Sequence, residues 1–219
     1  MTERPKSPPE IASVEAATVF VIDDDESIRR ALKNLFESVD LRVETFNSAS
    51  EFLQRNLPNI PSCLVLDVRL PRISGLDFQV LLEKAAIHIP IVFMTGHGDI
   101  PMTVRAMKAG AADFLAKPFR QQEMLDAVMA AIERDRMRRK DEKLVSSLRA
   151  RFETLTPRER EILASVSAGL LNKQIAAELG IAEITVKQHR GRVAKKMGTR
   201  SLAELLRAAE MLGVHRAKP

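Results

Sequence analysis

The sequence predicts an α/β domain followed by an all-α domain, and three observations carry that expectation. From Thr18 to about residue 134, short β-branched apolar runs alternate with longer stretches of helical period, the pattern of βαβ units building a parallel sheet. From Pro157 onward only helical patterns remain. Charge divides at nearly the same place: residues 1–133 hold 14 Lys+Arg against 19 Asp+Glu, whereas residues 134–219 hold 20 against 10. Halves of opposite charge have different tasks, and the basic one calls for an anionic partner, nucleic acid or a membrane surface. With 219 residues and 45% apolar content, the chain can fill two cores of ordinary size.

Taken in order, residues 1–17 are rich in Pro and Glu and read as a flexible tail. Strands are expected at Thr18–Asp23, Arg42–Phe46, Ser62–Asp67, Ile89–Thr95 and Asp113–Ala116. Helices are expected between them near Ser27–Val39, Ser48–Asn56, Ser74–Lys84 and Pro101–Ala109, the last closed by Gly110 as a C-terminal glycine. A fifth helix begins near Phe119, and because residues 121–151 contain no Gly or Pro it should run on out of the first domain. Residues 134–153 are therefore expected to be a helical linker, solvated along its length unless Met137, Leu144, Leu148 and Phe152 form a thin seam for a partner helix. Thr156, Pro157 and Glu159 supply the cap, first position and first-turn acid of a new helix. Four short helices follow at 157–168, 172–179, 183–197 and 201–212.

In an open parallel sheet, ligands gather beyond the carboxyl ends of the strands. Asp23 and Asp24 follow the first strand (VFVI), Asp67 ends the third (LVLD), Thr95 ends the fourth (VFMT) and Lys117 follows the fifth (FLAK). If the first strand lies beside the third and fourth, these side chains share one crevice. Three carboxylates there would require a hard divalent cation with oxygen ligands, Mg²⁺ or Mn²⁺. The chemistry suits phosphoryl transfer to the central carboxylate, Asp67, with cation, ammonium and hydroxyl neutralising the incoming oxygens. The Lys117-Pro118 bond is of the kind that can be cis.

Residues 18–133 resemble a response-regulator receiver domain, in DDD at Asp23, LVLDVRLPRISG around Asp67, FMTGHGDIPMTVRAMKAGAADF from Phe93 and LAKPF around Lys117. The long third block is similar to the FixJ branch in particular. The resemblance implies a flavodoxin-like (βα)5 fold, phosphorylated at Asp67 by a sensor histidine kinase. It implies metal ligation by Asp24, Asp67 and the backbone carbonyl of Arg69, with Asp23 acting through water, and Lys117 paired with the phosphoryl group. It implies also that Thr95 moves to meet the phosphoryl oxygens, that Phe114 rotates into the space vacated, and that a homodimer face forms on the fourth helix, fifth strand and fifth helix.

In the basic half, NKQIAAELGIAEITVKQHRGRVAKKMG from Asn172 offers a short helix, a turn at Gly180 and a second helix, the ingredients of a helix-turn-helix. Ile184, Val186, Val193 and Met197 are expected to pack inward, with Lys187, Gln188, Gly191, Arg192 and Lys195 on the opposite face. With LTPREREIL from Leu155, residues 154–219 resemble the four-helix LuxR/NarL/FixJ-type effector domain. The resemblance makes 183–197 the recognition helix in double-stranded promoter DNA. Lys187 and Gln188 suit guanine and adenine edges. Thr185, Arg190, Arg192, Lys195 and Lys196 suit phosphates, which give affinity and salt dependence. Gly191 stands where relatives often carry a longer polar side chain, and His189 reads as packing or phosphate support, with no cluster of metal ligands nearby.

The expected function is a phosphorylation-activated transcriptional regulator, cytoplasmic, dimeric when phosphorylated and working with RNA polymerase. It would be no enzyme beyond catalysing its own aspartyl phosphorylation and dephosphorylation. No stretch reaches about 18 apolar residues, so no membrane partner is expected, and Cys63, flanked by Leu64 and Val65, reads as an inert core thiol. One rival is a haloacid-dehalogenase-type phosphatase, from Asp23-x-Asp25-x-Ser27; it lacks a further acidic motif after Lys117, where the nearby acids all fall on the fifth helix. The other is a regulator that uses its receiver only for dimerisation, independently of phosphate.

Overall fold

The computed structural model describes residues 17–96 and 100–215, and the chain divides into two compact units between Arg139 and Lys140. The N-terminal tail expected at 1–17 thus lies, but for Ala17, outside the described residues. In the first unit β1 (Thr18–Ile22), β2 (Arg42–Phe46), β3 (Ser62–Asp67), β4 (Ile91–Thr95) and β5 (Asp113–Ala116) alternate with α1 (Glu26–Glu37), α2 (Ala49–Leu53), α3 (Gly75–Lys84) and α4 (Ile100–Lys108), ahead of α5 (Gln121–Glu153). All pairings are parallel, in the order β2-β1-β3-β4-β5. β1, β3 and β4 are buried at every position, which is why they read as unbroken apolar runs.

The two faces of the sheet take alternate residues, as the period of two demands. Phe20, Ile22, Leu64, Leu66 and Phe93 pack on one side with Phe52 of α2 and Phe78 of α3. Val19, Val21, Cys63, Val65, Val92 and Met94 pack on the other with Leu32 and Phe36 of α1 and Met124, Val128 and Ile132 of α5. Burial pushes the Cys63 thiol well above its ordinary pKa, with the Asp135 charge acting the same way. Both hold it as an unreactive thiol.

Most elements match their expected bounds to within a residue or two, and three of the differences have local reasons. β4 starts at Ile91 instead of Ile89, because Pro90 has no N–H to give the ladder, and its carbonyl accepts from Leu64. α2 is one short turn and a half, since Ser48 sits outside it as the N-cap, accepting from Glu51 N–H, and the helix stops at Leu53. α1 begins at Glu26 because Asp25 caps it, accepting from the N–H of Ser27.

The expected linker is largely absorbed by the two units. Asp135, fully buried, accepts the backbone N–H of Ser62 at 2.9 Å and pairs with Arg138 and Arg139, each at 2.6 Å. Arg139 also reaches Asn59 at 2.6 Å, so α5 belongs to the first unit through that residue. Leu148 and Phe152, expected on a solvated linker or in a seam for a partner helix, instead pack into the core of the second unit, while Met137 and Leu144 are exposed.

The second unit comprises the end of α5, α6 (Pro157–Ser167), α7 (Asn172–Leu179), α8 (Glu183–Met197) and α9 (Leu202–Met211). Leu155, Ile162, Leu163, Ile175, Val186, Val193, Met197 and Leu205 fill its core. Thr156 and Glu159 form the expected capping box at the start of α6. The α7–α8 turn opens at Gly180, whose φ of 64° is a left-handed conformation that glycine adopts without strain.

Candidate functional site

The sheet order sets β1 and β4 on either side of β3, so the residues at their carboxyl ends converge. Asp67 is the last residue of β3 and Asp23 follows β1; their side chains are 10% and 1% exposed. Lys117 follows β5, its backbone N–H bonded to Thr95 O at 2.6 Å and its bond to Pro118 cis. From there its ammonium donates to Asp23 Oδ2 at 2.8 Å and to Asp67 Oδ2 at 2.7 Å. The remaining oxygens also have donors: Asp25 N–H reaches Asp23 Oδ1 and Arg69 N–H reaches Asp67 Oδ1, both at 2.9 Å. Thr95 is fully buried at the end of β4, and Phe114 is half-buried on β5 with its ring centroid 6.2 Å from that of Phe93.

Carboxylate oxygens of Asp23, Asp24 and Asp67 lie within 4.8 Å of one another, with Asp24 exposed. Burial raises the Asp23 pKa above the ordinary carboxylate value, against the Lys117 and Asp25 hydrogen bonds that pull it down. Burial alone would lower that of Lys117, but its hydrogen bonds to Asp23 and Asp67 outweigh this and raise it. One ammonium offsets one of three carboxylates. The surplus negative charge, hard oxygen donors and short separations fit a divalent cation such as Mg²⁺.

Two residues that sequence reasoning passed over shape this edge. Arg29 of α1 donates to the backbone oxygens of Asp23 at 2.7 Å and Asp24 at 3.0 Å, fixing the acidic loop. Gly75 opens α3 directly against β3: its N–H donates to Val68 O at 2.8 Å, and a Cβ there would lie 2.5 Å from Asp67 O. The only advance signal for Gly75 was its place in the block around Asp67; Arg29 had none.

In the second unit, Lys187, Gln188, Arg192 and Lys195 are exposed on α8, and Thr185 is half-buried in its first turn. Two of the expected phosphate ligands are engaged within the chain. Arg190 donates to Asn172 Oδ1 at 2.6 Å, tying α8 to the start of α7. Lys196 donates to Glu159 Oε2 at 2.6 Å and Thr154 O at 3.0 Å, tying α8 to α6. The expectation that Ile184 packs inward is overturned: it is 62% exposed, since Val186, Val193 and Met197 already fill the inner face of α8. His189 is half-buried, its Nδ1 without a hydrogen-bond partner among the described residues.

Comparison with known proteins agrees with both halves. Residues 19–129 match the response regulator receiver domain, and residues 153–209 match the luxR family of bacterial regulatory proteins. Nodulation protein W of Bradyrhizobium diazoefficiens is 63% identical over 198 residues, 90% of this chain and 87% of that protein. The transcriptional regulatory protein FixJ of Azorhizobium caulinodans is 43% identical over 91% of this chain and 95% of its own length. Among solved structures, the response regulator StyR is 50% identical, with a TM-score of 0.78 over 89% of this chain and 98% of that one. A parallel five-stranded sheet with an acidic edge, followed by a helix-turn-helix of the luxR type, places this chain in the FixJ-like family of two-component response regulators.

Proposed function

We propose that Asp67 is the phosphoacceptor of this transcriptional regulator and that its phosphorylation by a sensor histidine kinase sets the DNA-binding activity of the second unit. The observation that carries this reading is the Lys117 ammonium held 2.8 Å from Asp23 and 2.7 Å from Asp67, both buried, at the carboxyl edge of the sheet. Asp23, Asp24, Asp67 and the Arg69 carbonyl would hold Mg²⁺ or Mn²⁺, which supplies charge neutralisation at the incoming phosphoryl group. An Asp67 carboxylate oxygen attacks phosphorus as the P–N bond of a phosphohistidine breaks, and the leaving imidazole takes up a proton. Lys117 transfers one of its hydrogen bonds from carboxylate to phosphoryl oxygen, and the Thr95 hydroxyl donates to another.

The acyl phosphate carries roughly −1.5 to −2 charges where the Asp67 carboxylate carried −1, and spreads them over phosphoryl oxygens at a buried edge. Thr95 moves toward it, Phe114 follows, and the α4–β5–α5 face becomes a dimer surface. Ile100, Val104 and Met107 on α4 are exposed, at 81%, 43% and 45%, and supply apolar area for that surface. The dimer then engages promoter DNA and activates transcription with RNA polymerase. Asp67 is consumed once per signal, so the chain has no turnover activity beyond making and losing its own phosphate. Among the described residues no helix is long and apolar enough to cross a membrane, which suits a cytoplasmic regulator.

Incubation with a radiolabelled small-molecule phosphodonor and Mg²⁺ tests the assignment. Wild type should take up at most one acid-stable, base-labile label per chain, and Asp67→Ala none. Continued labelling of Asp67→Ala, or multiple-turnover release of phosphate from varied monoesters, would refute it.

A further inference from the structure

The first turn of α8 carries an apolar side chain that the fold does not use. Ile184 is 62% exposed, although a β-branched residue of that size ordinarily lies inside. Its neighbours at helical spacing, Lys187, Gln188, Gly191 and Lys195, are all exposed, so the five positions form one stripe along the outer face of the helix. Recognition helices present the residues of their first turns to base edges in the major groove. Glu183, exposed beside Ile184, would be repelled by a phosphate and is suited to a base edge, where a carboxylate can accept from cytosine N4. This end of the helix therefore belongs in the groove and away from the backbone. In the major groove, the base feature that an aliphatic side chain can bury is the thymine methyl.

An isoleucine is short, and it reaches a base only if the helix lies close to the groove floor. Gly191 meets that requirement. It lies seven residues after Ile184, almost two full turns, and hence on the same side. A Cβ built at Gly191 would have nothing within 4 Å, so the missing side chain serves no packing inside the protein. Glycine weakens a helix interior relative to alanine, and nothing within the fold offsets that at Gly191. What its absence allows is closer approach of the helix to whatever covers that face.

We infer that Ile184 is a specificity-determining residue that reads the 5-methyl group of one thymine in each half-site, at a helix-to-groove distance permitted by Gly191. The inference rests on α8 being the recognition helix, and the test separates the two. Full-length protein, activated with beryllofluoride and Mg²⁺, selects a duplex from a random-sequence library, and each thymine of that duplex is then replaced singly by deoxyuridine. Wild type should bind about four-fold more weakly when one particular thymine per half-site loses its methyl, the worth of one buried methyl group. Ile184→Ala should bind the thymine duplex more weakly by a similar factor and be indifferent to uracil at that position. Lys187→Ala should lose affinity yet keep the uracil sensitivity, and Gly191→Lys, which props the helix away, should lose the sensitivity while retaining affinity for DNA in general. Selection of a duplex with no uracil-sensitive thymine, or uracil sensitivity undiminished in Ile184→Ala, overturns the inference and leaves the helix-turn-helix reading intact. Failure to enrich any duplex overturns both.

Discussion

Lys117 lies between the buried carboxylates of Asp23 and Asp67 and offsets part of the negative charge that would hold a cation. Lys117→Ala leaves those carboxylates without their ammonium, so Mg²⁺ should bind several-fold more tightly to the unphosphorylated protein by titration calorimetry. Phosphoryl uptake should slow by on the order of 100-fold, the usual loss for one electrostatic donor. Weaker Mg²⁺ binding in the variant would contradict this account. In the second unit, Glu159 is 3% exposed, and its pKa lies below the ordinary value of 4.5, first through its hydrogen bond with Lys196 and then through the Thr156 N–H. A carboxylate whose folded pKa is depressed contributes stability in full above its unfolded pKa and loses it as pH falls through the folded one. Urea unfolding should therefore show wild type losing stability between about pH 5 and pH 3 faster than Glu159→Gln, the two curves converging in acid. A constant gap across that window would exclude the ion pair as its source. The chemistry-bearing residues Asp23, Asp67 and Lys117 were legible because each ends or follows a strand. The partners of Arg190 and Lys196 were not, because Asn172 and Glu159 lie 18 and 37 residues away and spacing along one helix carries no information about a neighbouring helix.

At the level of elements, two junctions hold the receiver edge in place. α3 approaches β3 so closely that only a glycine fits at its first position, where a Cβ would stand 2.5 Å from Asp67 O and 3.0 Å from Val68 Cα. Both atoms are backbone and cannot swing aside, so Gly75→Ala should lower receiver stability by about 1–3 kcal/mol and slow labelling of the displaced Asp67. Unaltered unfolding and labelling would mean that α3 slides freely. At the opposite edge, Asp135 bridges α5 to the first residue of β3. Asp135→Ala would strand the Ser62 N–H and two arginines. The guanidinium groups are partly solvated, with Arg138 31% and Arg139 19% exposed. The loss should therefore fall at the low end for a broken buried pair, about 3 kcal/mol in chemical denaturation, with Asp135→Asn milder because it still accepts from Ser62. Strand positions were legible to within two residues, since an apolar run bounded by polar residues is a local signal. Asp135 was not, being an acid among helical charges whose burial depends on a strand 73 residues earlier.

For the whole molecule, two domains were legible from the change of pattern and the charge asymmetry, but the division of α5 between them was not. A helix without Gly or Pro looks uniform along its length, and only tertiary contacts reveal that Asp135, Arg138 and Arg139 serve the first unit while Leu148, Arg151 and Phe152 serve the second. In that second unit Leu148 is 7% exposed, Arg151 donates to Met197 O at 3.0 Å, and the Arg160 guanidinium lies 5.0 Å over the Phe152 ring. A fragment of residues 140–219 should thus unfold cooperatively by itself, whereas 154–219, the effector as its sequence pattern alone bounds it, should be less stable by about 2–5 kcal/mol, as for loss of a large core side chain. Circular dichroism melts of the two fragments measure the difference, and equal stability would show that the end of α5 is dispensable. The same pair separates two modes of control. If the receiver acts by masking α8, the 140–219 fragment should bind DNA as tightly as the phosphorylated full chain. If the receiver acts by pairing two copies, the folded fragment should bind weakly and regain affinity when fused to an unrelated dimerisation module. Because the longer fragment retains its core, weak binding by it reports the mode of control and not a loss of fold.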